Sequence, residues 1–198
     1  MAVKGLKVGS LNSSDDVSGM VKIVPTSVAV GSGTGSANTL GTVTFSGATT
    51  ISLNGCFNST YSNYKLVINF ESFSGTDNIF YMRLRASGSD NTTSNYRYTG
   101  NDWASNWNPW SDALYSQDKF VVHRYSRANG IYMSMDVLNP FATKYTGWLS
   151  LSSQVATNPG VNHAAGIFNA TTSFDGFTMF PEVSQNMSGT ISVYGYTN

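Results

Sequence analysis

Apolar residues in this chain return at every second position, in short runs separated by clusters of turn residues. In the clearest run Tyr64, Leu66, Ile68 and Phe70 fall on one face, against Lys65, Asn69 and Glu71 on the other. That is the pattern of a half-buried antiparallel strand. After a Gly-Thr-Asp-Asn turn at 75–78, Phe80, Met82 and Leu84 point inward and Tyr81, Arg83 and Arg85 outward, so the two runs are predicted to pair as a hairpin. Further strands are predicted at 42–47, 50–57, 96–99, 119–125, 130–138, 147–152, 174–180 and 189–196, with Asn54-Gly55 as a turn or bulge signal. No long repeat of period 3.6 competes with them. About ten short strands with turns between them predict an all-β protein, an antiparallel β-sandwich that is jelly-roll-like.

The first part of the chain reads differently. Residues 1–21 hold isolated apolar side chains without a period long enough to make a covered face. Val28 and Val30 alternate, but Pro25 confines residues 22–30 to an edge strand or extended chain. Residues 31–41, GSGTGSANTLG, have the composition of a flexible linker. The expected organisation is therefore an extended N-terminal arm and linker over 1–41 and a sandwich domain over 42–198. The glycines of 31–41 do not make a phosphate-binding loop, because the lysine and the following helix are missing.

Charge narrows the function. Asp, Glu, Lys and Arg make up 11% of the residues, against about 25% in an ordinary soluble domain. Ser, Thr, Asn and Gly must keep the exterior wet. Eleven basic and eleven acidic residues cancel, and no basic cluster offers a track for a polyphosphate, so nucleic acid is not an expected partner. No apolar run approaches the roughly 20 residues of a membrane span, and the N-terminus lacks the apolar core of a secretion signal, so no membrane insertion is expected and synthesis is expected in a cytoplasm. A single cysteine, Cys56, excludes an intrachain disulfide and reads as a small buried hydrophobe. Stability is left to packing and self-association.

The stretch KIVPTSVAVGSGTGSANTLGTVTFSGATTISLNGCFNSTYSNYKLVI, residues 22–68, resembles a pattern in tailed-bacteriophage virion proteins: a Gly/Ser linker, then "VTFSG", then "ISLNG-F", then "F-STY-NYKLVI". RLRASGSDNTTSNYRY at 83–98 and GTISVYGYTN at 189–198 agree with it, while 101–170 carry only loose likeness. The resemblance implies a virion structural protein: a tail fibre, receptor-binding appendage or head decoration, usually a trimer with a jelly-roll-like domain, made in the host cytoplasm. The same residues have a plain physical role. Phe45, Ile51, Leu53, Phe57, Tyr61 and Tyr64 are spaced to build a core, and Gly47 and Gly55 permit turns.

Candidate chemistry gathers at 96–115, YRYTGNDWASNWNPWSDALY. Trp103, Trp107 and Trp110, with Tyr98 and Asp102, suit sugars, whose C–H faces stack on rings while their hydroxyls need hydrogen-bond partners. The competing reading is a loop that folds its tryptophans over one end of the sandwich or into a subunit interface. Trp148 lies in a strand pattern and reads as core. His123 and His163 stand 40 positions apart without zinc spacing, one in a strand and one in a Pro/Gly/Asn-rich loop. Asp102, Asp112 and Asp118 are the acidic residues nearest the tryptophans, and none stands in a context that marks it as catalytic. Asp15-Asp16 and Asp90-Asn91 lack a calcium-loop register. The expectation is a non-enzymatic protein without metal or cofactor, partnered with itself, with other virion proteins through its arm, and with host-surface polysaccharide.

Overall fold

Each run with a two-residue apolar repeat forms a strand with one face turned inward. In the computed structural model the described residues are 19–75, 78–104, 110–126, 130–155 and 160–196, and among them there are sixteen strands and no helix. The first half contributes β1 (Val21–Ile23), β2 (Ser27–Val30), β3 (Thr34–Ala37), β4 (Thr42–Ala48), β5 (Ile51–Asn54), β6 (Asn63–Phe73), β7 (Asn78–Ala86) and β8 (Ser89–Asp90). The second half contributes β9 (Tyr96–Ala104), β10 (Trp110–Gln117), β11 (Phe120–Ser126), β12 (Ile131–Leu138), β13 (Thr146–Gln154), β14 (Gly160–Phe168), β15 (Gly176–Pro181) and β16 (Met187–Tyr196).

The strands form an antiparallel β-sandwich. The large sheet runs β10-β9-β14-β13-β12-β6-β16-β4-β3, and β1 continues the β4 side of β16. The small sheet runs β11-β7-β15-β5-β2, with β8 on β7. Between them lies one aromatic core in which Phe45, Phe57, Phe70, Phe80, Phe120, Phe168, Phe174 and Phe177 are buried. Rings meet across the layers: Phe70 and Phe80 at 4.8 Å, Phe120 and Trp148 at 4.8 Å between centroids. Each such side chain contributes about 1.5–3 kcal/mol by leaving water. Cys56 is fully buried, and desolvation pushes its thiol well above the ordinary range, so it acts as a small hydrophobe.

Three expectations are corrected. The strands at 64–71 and 80–85 do not pair as a hairpin: β6 lies between β12 and β16 in the large sheet, and β7 lies between β11 and β15 in the small one. The two strands lie in different sheets, and their inward rows face each other across the core. Alternation defines which face is inward but not which strand is the neighbour.

Residues 21–37, expected to belong to the arm and linker, are instead strands of the sandwich. β2 pairs with β5 and β3 with β4. Asn38 makes the turn of residues 38–42: its side-chain oxygen accepts from the backbone N–H of Leu40 and Thr42, each at 3.0 Å. Gly33 and Gly41 have φ of 68° and 78°, and a β-carbon on Gly33 would collide with the Ser46 carbonyl. These glycines are there for conformation and close approach, not for slack. Residues 1–18 lie outside the described residues.

The third correction concerns 96–115 and His163. β9 and β10 form a hairpin at one end of the large sheet, and His163 stands exposed in strand β14, not in a loop.

Candidate functional site: the outer face of the large sheet

The two outer faces of the sandwich differ in kind. On the small sheet, charged side chains cover the surface. Arg85 binds Asp90 and the Gly88 carbonyl, and donates to Asn54 Oδ1 at 2.8 Å and Thr178 Oγ1 at 2.7 Å, clasping β8 against β5 and β15. Arg83 binds Asp118, which also accepts from Lys119 at 3.0 Å. Burial alone would raise the Asp118 carboxyl, but Lys119 and Arg83 outweigh it and hold the group below its usual range. Lys119 and Arg83 lie over the rings of Tyr81 and Phe180 at 4.8 and 5.0 Å. This face is built for water.

The middle of the large sheet's outer face is nearly neutral and carries exposed aliphatic side chains, with Lys22, Glu71 and Arg97 at its margins. Three rows cross β6, β12, β13, β14 and β9 in register. The first reads Lys65, Asp136, Leu149, Ala165, Thr99; the second Val67, Ser134, Leu151, His163, Asn101; the third Asn69, Tyr132, Ser153, Val161, with the Trp103 backbone beside Val161. Val67, Leu149 and Leu151 are 47–50% exposed and Tyr132 57%. Val161 and Ile167 are exposed as well. Lys65 and Asp136 pair with each other at 3.1 Å, so this pair needs no outside counter-charge. Tyr196 donates to the same carboxylate at 3.3 Å, and burial together with Asp136 raises its phenol.

The face is not flat. A hollow of about 530 Å³ is floored by Ser134 and Ser153 and bounded by Val67, Tyr132, Leu151 and Val161. A second of about 320 Å³ lies beside it, lined by Asn101, Leu149, His163 and Ala165 among others. Small residues between large ones make the hollows, and the alternation of strands puts the large ones on this side.

A polar seam fastens the sheets beneath this face. β11 is the edge strand of the small sheet, so one side of its backbone lacks a ladder partner. Side chains of the large sheet supply the missing bonds: Ser150 Oγ donates to the Val122 carbonyl at 3.2 Å, and Asn162 Oδ1 accepts from the Arg124 N–H at 2.9 Å. His123 Nδ1 and Ser152 Oγ are 2.8 Å apart. Burial pushes the His123 imidazole down to about 3, so it is neutral at physiological pH.

Of the five sugar-site residues, the structure describes the side chains of Tyr98 and Asp102. Tyr98 is only 7% exposed and turned into the core, so its ring is no stacking platform. Asp102 is half-buried and accepts from Asn162 Nδ2 at 3.2 Å, which ties it to the seam. Trp103 and Trp110 are placed by their backbones in β9 and β10, and Trp107 lies outside the described residues. Trp148 is in the core, as its strand pattern implied. The aliphatic face escaped sequence reading because Val67, Leu149, Leu151, Val161 and Ile167 are scattered over three strands. The one available signal was an apolar residue out of phase, such as Val67 among the polar positions of β6.

Comparison with protein-family models, with curated proteins and with solved structures finds no match. Among the described residues no group of three or more His, Cys, Asp or Glu side chains is placed to hold a metal ion.

Proposed function

We propose that this chain is a non-enzymatic structural component of a tailed-phage virion, a tail-fibre or appendage module that attaches through its N-terminal residues and self-associates through its sandwich. One observation carries the reading: a sandwich clothed in charge on one side leaves a neutral, aliphatic face bare on the other. An exposed apolar patch rimmed by polar groups is the mark of a surface that meets a protein. The virion setting is supported by the resemblance of residues 22–68, 83–98 and 189–198. Attachment falls to residues 1–18, since the strands from Val21 onward are committed to the sandwich.

Immunogold labelling of intact particles tests this and separates tail from head; gold on the head shell would make the chain a decoration protein. Absence of the chain from purified particles overturns the proposal. Host-surface glycan recognition rests on Trp103, Trp107 and Trp110. It predicts that Trp107→Ala abolishes host-cell binding while the melting temperature stays unchanged, and unchanged binding rejects it.

A further inference from the structure

We infer that the outer face of the large sheet is covered by the same face of a second copy of this chain, the two related by a twofold axis. The inference rests on the assembly reading above and names its partner.

Charge is the first argument. A partner that brought net charge to this face would leave it buried and unpaired, because across the three rows Lys65 and Asp136 already neutralise each other. A partner equally neutral and equally aliphatic fits without leaving a charge buried and unpaired, and the face itself has that character.

Shape is the second. The hollow over Ser134 and Ser153 lies beside the ridge of Leu149 and Leu151 and the ring of Tyr132. Knob and hole therefore occur on one surface. A twofold interface uses one patch on both partners, whereas a ring of three needs two different complementary patches. Among the described residues the other large exposed hydrophobics, such as Met20, Leu40, Tyr115, Tyr145 and Val183, are scattered on short connections and at edges and make no second row of this kind. The pairing thus replaces the trimer that the resemblance implies.

Size is the third. Six strands from β16 to β9, at about 4.8 Å spacing and six residues deep, give a footprint of roughly 25 Å by 20 Å. With side-chain relief this is of the order of the ~800 Å² that each partner gives to a standard interface. A glycan would not need the aliphatic row, because sugars take aromatic platforms and hydrogen-bond donors.

The test is the mass of the full-length protein in solution by light scattering after size-exclusion chromatography, at concentrations from micromolar to about 100 µM. The expected mass is twice the 21.3 kDa of one chain. Leu151→Glu, which places a charge in the patch, and Ser134→Arg, which fills the hollow, are each expected to weaken pairing at least 100-fold and give the one-chain mass. Both keep the wild-type circular dichroism spectrum, since both positions face outward. Val183→Glu, at an exposed position off the face, leaves the two-chain mass intact. A wild-type mass of one or three chains, or a two-chain mass that persists in both variants, overturns the pairing. These results are independent of particle labelling: a one-chain protein found on virions sinks this inference alone, and a two-chain protein absent from virions sinks only the virion setting.

Discussion

Replacing His123 by Phe changes how stability depends on acid. The imidazole is 1% exposed, its ring packs on Phe80 at 6.5 Å, and Nδ1 meets Ser152 Oγ at 2.8 Å. Desolvation lowers its folded-state pKa from 6.5 to about 3. Between those values the unfolded chain binds a proton that the native core refuses, so stability is complete above pH 6.5 and falls as the pH drops toward 3. One proton corresponds to about 1.4 kcal/mol per pH unit once the unfolded imidazole is mostly charged. The loss from this group comes to about 2 kcal/mol at pH 5 and about 3 kcal/mol at pH 4. His123→Phe retains the ring packing, removes the titration, and costs about 1 kcal/mol at pH 7 through the lost hydrogen bond to Ser152. Urea unfolding at pH 7, 6, 5 and 4 is expected to show the variant less stable at neutral pH, with the two curves crossing between pH 6 and 5. Parallel pH profiles for the two proteins would refute the reasoning, because every other titrating group is common to both.

Phe70→Ala empties a position flanked by Phe45, Phe73 and Phe80, and is expected to cost about 3–5 kcal/mol in chemical denaturation. Arg85→Ala releases the β8 clasp and strips partners from Asp90 and Thr178; a loss of about 1–3 kcal/mol is expected, with faster amide exchange confined to residues 86–91. Gly189→Ala drives a β-carbon into the Asn69 carbonyl at the bulge where β16 changes register. The expected result is a protein that melts at least about 4 °C lower or fails to accumulate, from a penalty of about 2 kcal/mol or more.

Strand class and inward rows were legible in the amino-acid order because alternation reports directly which side of a strand is wet. Tyr64, Leu66, Ile68 and Phe70 are all buried, as are Phe80, Met82 and Leu84. Partners were not legible: β6 and β7 look like a hairpin from their turn, yet each finds its neighbours far along the chain. Composition also misled at 31–41, where glycines that fit close backbone approaches look the same in sequence as glycines that confer slack. β14 was missed because Asn162, His163, Ala164, Ala165 and Gly166 carry little strand propensity and are held by β13 and β9 on either side. The tryptophans drew attention to 96–115, while the aliphatic face needed the register of five strands before its rows came together.

β16 occupies the middle of the large sheet, zipped to β6 along one side and to β4 and then β1 along the other. Ile191 thereby joins Ile68 and Val43, residues synthesised far earlier. A nascent chain that stops before Met187 holds two half-sheets with raw edges at β6 and β4, each a template for the wrong strand. Closure of the large sheet therefore waits for the synthesis of residues 187–196. Premature termination should yield inclusion bodies in place of a shortened, working molecule.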